Sequence, residues 1–171
     1  MKSTVFTNEP ISNIIWKATS ELVANDYNPN VVFTPEMNLL KLSLMLNGWI
    51  QPILITQHNV IIDGFHRFTL SSRDKDIIAK YGGMVPCAVL TLTEAERILL
   101  TVRINRAKGS HIAIKMHELV TKVHLEHGMT IPEIAKQIGG TKAEVELLLK
   151  ENVFKALDIE NKQYSKAWVP K

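Results

Sequence analysis

The spacing of apolar residues changes period along the chain, and each change marks an element. From Pro10, a residue suited to a first helical turn, Ile11, Ile14, Ile15, Ala18 and Leu22 follow at helical spacing. The turn-forming run Asn25-Asp26-Tyr27-Asn28-Pro29-Asn30 closes this segment. A second helix is predicted over about Pro35 to Leu46, ended by Asn47-Gly48. The period then shortens. Trp49 to Thr56 is rich in β-branched residues, Gln57-His58-Asn59 is a tight polar turn, and Val60-Ile61-Ile62 follows, which together predict a β-hairpin. Asp63-Gly64 breaks the second strand, and a helix is predicted from Phe65 to Tyr81, stopped by Gly82-Gly83. Val85 to Leu90 is a further strand.

Beyond Leu90 the pattern is helical only. Thr93-Glu94-Ala95-Glu96 is a capping box for a helix to about Ala107, and Gly109 breaks it. An amphipathic helix is predicted from Ile112 to His127. Capping boxes at Thr130-Ile131-Pro132-Glu133 and Thr141-Lys142-Ala143-Glu144 open two short helices, to Ile138 and about Asn152, joined by Gly139-Gly140. That pair has the outline of a helix-turn-helix. The expectation is an α+β chain with a small mixed sheet: an N-terminal helix over 1–27, an α/β domain over 28–109, a helical segment over 110–156 and a polar tail over 157–171, in which Tyr164 and Trp168 are candidate docking aromatics.

Composition excludes several classes. An apolar fraction of 46% and a charged fraction of 22% are those of a folded globular chain. No stretch is long and apolar enough to span a bilayer, and the N-terminus lacks the pattern of a signal peptide, so a cytoplasmic protein with no membrane partner is expected. The single cysteine, Cys87, lies in an apolar run and reads as a buried core thiol. The net charge of +3 comes from the middle of the chain, where residues 60–110 hold eight basic and five acidic side chains. From Arg97 to Lys115 there are five basic residues and no acidic one, a local hint of anion binding.

The strongest chemical signal is Ile61-Ile62-Asp63-Gly64-Phe65-His66-Arg67. Here a strand ends, a glycine permits a sharp bend, and a helix begins. A helix start offers N–H groups and a positive dipole end to phosphate, and Arg67 adds a forked cation. The dipole disfavours charge on His66, which is expected to act as a neutral donor. Asp63 is a candidate base or Mg²⁺ ligand, with His66 and, more remotely, Glu36 as other acid/base candidates. The competing reading makes Asp63 a helix N-cap and His66 and Arg67 surface residues. Arg106 and Lys108, flanking a predicted helix end, are candidates to close the phosphate site from the other side. His117, His124 and His127 lack the carboxylate or cysteine pattern of a metal site.

The order of these segments resembles the N-terminal domain of the ParB/sulfiredoxin superfamily. The resemblance rests on Asn28-Pro29, Gly48-Trp49-Ile50-Gln51-Pro52-Ile53, the Asp63–Arg67 turn, Val85-Pro86 and Arg103-Ile104-Asn105-Arg106. It covers about Asn28 to His111, and more loosely continues to Asn152. It implies that Gly64, Phe65, His66 and Arg67 hold nucleotide phosphates and that Gln51 and Pro52 lie where the base is seated. The ligand implied is a nucleoside tri- or diphosphate (ATP, ADP or CTP), with or without Mg²⁺. Phe65 stands where sulfiredoxins carry the catalytic cysteine, so sulfiredoxin chemistry is excluded. Val102 and Arg103 stand where ParB carries a Glu-Asn pair, so the acidic ligand for ParB-style CTP hydrolysis is missing. The Asp-Gly-x-His-Arg form is similar to short members such as prophage transcription co-activators and free-serine kinases.

Three functions are compatible with this reading. The first is a nucleotide-binding regulator from a bacterium, phage or prophage, a transcription co-activator or DNA-associated factor that engages DNA or a protein partner, or forms a homodimer. The second is a small phosphotransferase or NTPase on the same scaffold, and the third a non-catalytic interaction module. The second helix of the helix-turn-helix-like pair argues against tight DNA reading. Lys142 is its best candidate contact, yet Glu144, Glu146 and Glu151 would face phosphates with like charge.

Overall fold

Met84–Leu90 (β4) is apolar along almost its whole length because it is an interior strand, flanked on both sides by other strands. The computed structural model describes residues 6–24, 34–108 and 113–150. The expected turn at 25–30, the break at Gly109, the helix start at Ile112, the helix end at Asn152 and the tail lie outside those residues. Ile15–Ala18 (β1), Ile53–Thr56 (β2), Ile61–Asp63 (β3) and β4 form one mixed sheet in the order β1-β4-β2-β3. β2 and β3 are the expected antiparallel hairpin, with Leu54 opposite Asp63. The Thr56 hydroxyl accepts from the N–H groups of His58 and Val60 at 3.2 and 3.1 Å and pins the hairpin turn, in which Asn59 takes φ +62°. β2 runs parallel to β4, with Ile53 beside Cys87 and Thr56 beside Leu90.

The N-terminal helix expected from the spacing of Ile11 to Leu22 does not form. Short 3₁₀ turns occupy Pro10–Ser12 and Thr19–Glu21, and between them β1 pairs antiparallel with β4, Ile15 opposite Cys87 and Ala18 opposite Met84. The physical reason is the sheet's open side. Without β1, β4 would present a row of unpaired N–H and C=O groups. Ile14, Ile15 and Trp16 suit a strand, and Glu21 stops it by accepting from the Ala18 N–H at 2.9 Å. Ile15–Ala18 thus belong to the sheet, and Val23 adds an isolated bridge to Val60.

The single helix expected over 65–81 is two: Phe65–Arg73 (α2) and Lys75–Tyr81 (α3). Asp74 divides them. Its carboxylate accepts from the N–H groups of Asp76 and Ile77 at 3.0 and 3.2 Å, which is an N-cap. The same carboxylate meets Lys41 of Thr34–Asn47 (α1) at 2.9 Å, and Lys41 also meets Asp76 at 2.6 Å. Lys41 and the two capped amides hold the Asp74 carboxyl below the usual carboxylate range. Apolar periodicity ran through Asp74 and concealed the break.

Glu94–Lys108 (α4), Ala113–Glu126 (α5), Ile131–Ile138 (α6) and Lys142–Leu149 (α7) complete the chain. The three expected capping threonines are in place. Thr93 N–H meets Glu96 at 2.8 Å, Thr130 N–H meets Glu133 at 2.8 Å, and Thr141 accepts from Glu144 N–H at 3.2 Å. One core lies on the sheet, with Ile53, Ile55, Ile61, Val85 and Cys87 fully buried. Burial pushes the Cys87 thiol up to about 11, as expected of a core cysteine. A second core joins α4 to α7 through Ile98, Val102, Leu119, Val123, Ile134 and Val145. α4 also packs on β3, so it is the shared wall between the sheet and the helices. Among the described residues no helix is long and apolar enough to cross a membrane.

Removing the cap at Asp74 should separate its two roles. Asp74→Ala is expected to cost about 1–2 kcal/mol, with Asp74→Asn keeping most of the cap and losing only the partly exposed pair to Lys41. Urea unfolding of the two variants beside the parent chain measures the difference.

Candidate phosphate-binding turn

Asp63 is the last residue of β3, and the chain must turn at once to begin α2 on the inner side of the hairpin. Gly64 makes that turn with φ +97°, a left-handed conformation that side chains disfavour. A Cβ there would lie 3.2 Å from the Cα and Cγ1 of Ile53 and 3.3 Å from Arg67 Nη2. The backbone therefore passes against the first residue of β2, and no side chain fits between. Gly64, not Asp63, is the N-cap of α2 and brings no side-chain cap with it. The reading of Asp63 as a helix cap is corrected on this point. First-turn N–H groups of a helix have no intrahelical acceptor, and those of α2 begin one residue beyond this glycine.

Arg67 lies in that first turn, and its side chain is only 12% exposed. Nη1 donates to the Gln51 carbonyl at 2.7 Å and to Gln51 Oε1 at 3.3 Å. Nη2 stands 3.7 Å from the Asp63 carboxylate. Burial pushes the guanidinium down from its ordinary value, and the Asp63 carboxylate only partly opposes this. Arginine stays charged, so the site holds a cation whose lost hydration is incompletely replaced. A further anion at this point would be favoured.

The guanidinium forms one wall of a cleft of about 60 Å³, whose other walls are Leu40, Ser43 and Leu44 of α1 and Gly48, Ile50 and Gln51 of the following loop. The structure thus brings together Gln51, Asp63, Gly64 and Arg67 from two distant stretches of sequence. Pro52 follows directly, half-buried, before β2. The cleft suits a group of phosphate size; a whole nucleotide would have to extend from it over the surface. Phe65 and His66 are half-buried. Their rings meet edge-on at 6.4 Å, and Phe65 also packs 6.0 Å from Phe68, which rests on the sheet core. Phe65 therefore serves as a packing residue.

The remaining candidates lie elsewhere. Glu36 is exposed in the first turn of α1 and does not line the cleft. Arg106 was expected to close the phosphate site, but its guanidinium is directed to Glu144 of α7, with Nη2 3.3 Å from Oε2. It ties α4 to α7 instead. The physical reason is helical phase. Ile98, Leu99 and Val102 of α4 pack into the core shared with α5 to α7, and Arg106, four residues past Val102, lies on that same face. Lys108 is the last residue of α4, and its side chain is outside the described residues. Lys142 is exposed at the start of α7. With Glu144 bound by Arg106, the exposed face of α7 presents Lys142, Ala143, Glu146, Leu147 and Lys150. That face is nearly neutral and poorly suited to reading DNA.

Two residues escaped sequence reasoning. Asn105 of α4 is 3% exposed, a buried polar group on a helix whose buried side is mostly apolar. Trp49 packs edge-on against Tyr81, with ring centroids 6.2 Å apart, and joins the sheet core to the cluster around Leu44, Leu70 and Ile77.

The sequence is 35% identical over 170 residues to the uncharacterized protein YbdM of Escherichia coli (strain K12), a match covering 97% of this chain and 80% of YbdM. The chain belongs to the YbdM family. No family model matches it. Its fold is similar to two solved structures. One is the C-terminally truncated chromosome-partitioning protein ParB from Caulobacter crescentus complexed to the centromeric parS site, with TM-score 0.54, 18% identity, and 84% of this chain and 77% of that chain covered. The other is a Pnob8-like ParB-N domain, with TM-score 0.58, 14% identity, and 88% and 74% covered. This YbdM relative therefore has a ParB-like fold, α+β with a four-stranded mixed sheet, as the sequence resemblance implied.

Two substitutions probe the geometry. Gly64→Ala meets both a disfavoured φ and the Ile53 backbone, and is expected to cost about 1–3 kcal/mol in denaturant melts. Arg106→Gln should cost about 1 kcal/mol or less, since the ion pair it breaks is partly exposed, and should leave any ligand affinity at the Arg67 cleft unchanged by titration.

Proposed function

We propose that this protein is a nucleotide-binding regulator of the ParB-like class. One phosphate of a nucleoside di- or triphosphate sits against Arg67 and the first turn of α2, and the rest extends past Gln51, Pro52 and Ile50. The observation that supports this most directly is the buried Arg67 guanidinium, which forms a wall of the cleft beside a glycine N-cap. The forked cation in the cleft and the dipole of the helix that carries it both favour phosphate. ATP, ADP and CTP are the ligands to test. Asp63 is the proposed Mg²⁺ ligand, and metal there would compete with its pairing to Arg67. Asp63 is engaged by Arg67 at 3.7 Å, so a binding role is favoured over phosphotransfer. The helical part, α4 to α7, is the surface proposed to engage DNA or a DNA-associated partner in the cytoplasm, as in a transcription co-activator. The neutral outer face of α7 makes a protein partner, or DNA held together with one, the favoured target.

A thermal-shift and calorimetric panel of ATP, ADP, CTP and GTP, with and without Mg²⁺, tests the reading. A ligand at a hundred times its Kd should stabilise the fold by about 2.7 kcal/mol. Arg67→Lys keeps the charge and removes the fork, and is expected to weaken binding about tenfold. Arg67→Ala is less informative, because it also strips the Gln51 carbonyl of its donor and destabilises the loop. Asp63→Asn should reduce the Mg²⁺ dependence of binding. If no nucleotide shifts the melting temperature or gives binding heat, the turn is a structural joint and the proposal fails.

A further inference from the structure

A hydroxyl on the wall of the Arg67 cleft makes no bond to its own helix. Hydroxyl side chains within helices commonly donate to a carbonyl of the preceding turn. Thr69, Ser72 and Thr101 do so, to the carbonyls of Phe65, Thr69 and Arg97 at 2.9, 3.1 and 3.1 Å. Ser43 of α1 makes no such bond among the described residues, and it lines the cleft. Ser71 also lacks a partner, but it is fully buried, where no ligand reaches it. Ser43 is only half-buried, so its hydroxyl is open to whatever enters the cleft.

The other polar side chains of the cleft offer donors, and two of its oxygen sites are already taken. The Leu44 carbonyl accepts from Gly48 N–H and Lys80 Nζ, both at 3.2 Å, and from the Tyr81 hydroxyl at 3.0 Å. The Gln51 carbonyl and Oε1 both accept from Arg67 Nη1. A guanidinium has no acceptor, so Gln51 must turn Oε1 toward it and keeps its Nε2 hydrogens for a ligand. Ser43, Gln51 and Arg67 can therefore all donate, between the aliphatic side chains of Leu40, Leu44 and Ile50.

We propose that Ser43 is a specificity-determining residue of this cleft, donating from α1 to the same phosphate group that Arg67 holds from α2. The inference rests on the reading of the cleft as a phosphate site, and it assigns the part of the nucleotide that enters. An ionised phosphate only accepts, and it meets three donors. A base or sugar would bring N–H or O–H groups to the Leu44 and Gln51 oxygens, which are occupied. Ser43 thereby separates phosphate from the rest of the ligand.

Calorimetric titration of the full chain with ATP, ADP, CTP and GTP, and with pyrophosphate, which has neither base nor sugar, tests the proposal. Ser43→Ala should weaken every one of these that binds the parent by about tenfold, the loss of one hydrogen bond to a charged group. The melting temperature of the unliganded chain should hold or rise, because alanine is the better helix former. Gln51→Glu keeps an oxygen for Arg67 but turns a second carboxylate oxygen to the ligand, and should weaken binding by more than about tenfold. Parent-like affinity in Ser43→Ala overturns the inference and leaves the nucleotide reading standing. So does a loss seen with nucleotides but not with pyrophosphate, which would set the hydroxyl against base or sugar. Parent-like affinity in Gln51→Glu overturns the donor-lined cleft. A parent that binds pyrophosphate and no nucleotide, with the Ser43→Ala loss intact, keeps this inference and overturns the nucleotide reading. A parent that binds neither overturns both.

Discussion

The parallel pairing of β2 with β4 is the constraint from which the rest follows. Parallel neighbours cannot be joined by a tight turn: β3 returns the chain beside β2 to its starting end, and the chain between Asp63 and Met84 must then leave the sheet to reach the other side of β2. That connection contains the Asp63–Arg67 turn, α2 and α3. Its first act is to reverse from β3 into a helix, and the space for the reversal is bounded by β2 itself. Ile53 stands where a Cβ on residue 64 would go, and so glycine there follows from the packing of the sheet. The proposed phosphate affinity exploits a backbone conformation that the topology already demands.

Arg67 adds a second link between the same elements. Its guanidinium reaches back across sixteen residues to the Gln51 carbonyl, just ahead of β2, while remaining near Asp63 at the end of β3. The start of α2 is therefore fixed against both strands of the hairpin. A side chain that closes a structural bond and also forms the wall of a cleft is pre-organised, since little freedom is lost when an anion arrives. The same dual role means that stability and binding are coupled at this residue. Changes in ligand affinity on its truncation cannot be assigned to the lost contact alone.

Much of this was legible from sequence where local chemistry decides. The hairpin, its polar turn, β4 and the three threonine caps each depend on residues within a few positions, and the structure has them as read. The errors arose where a distant partner decides. Ile11 to Leu22 satisfies a helical period, yet the unpaired side of β4, some seventy residues away, recruits Ile15–Ala18 as a strand. Asp74 interrupts an apolar rhythm that continues on both sides of it, and its second partner, Lys41, lies on another helix. Arg106 was read as facing the turn because it lies near the end of α4. Its true direction depends on its place on the face of α4 that packs against the other helices, and on Glu144 almost forty residues later.

The acidic character of α7, which seemed a flaw in a DNA-reading helix, acquires a different meaning from that last contact. Glu144 accepts from Arg106, so one of the carboxylates holds the helical part together through α4, the helix that also packs on β3. α4 thus has neighbours in both directions: it packs on β3, the strand that ends in Asp63, and its Arg106 grips α7. A change in the position of β3 would be felt first at α4, and then at the contact of α4 with α7. Substitutions in the Arg106–Glu144 pair and at the turn are consequently the two places where coupling between the sheet and the helices can be measured, by double-mutant cycles on stability. Independent energies would mean that the halves are merely adjacent. A coupling energy of about 0.5 kcal/mol or more would mean that α4 carries a mechanical connection between them.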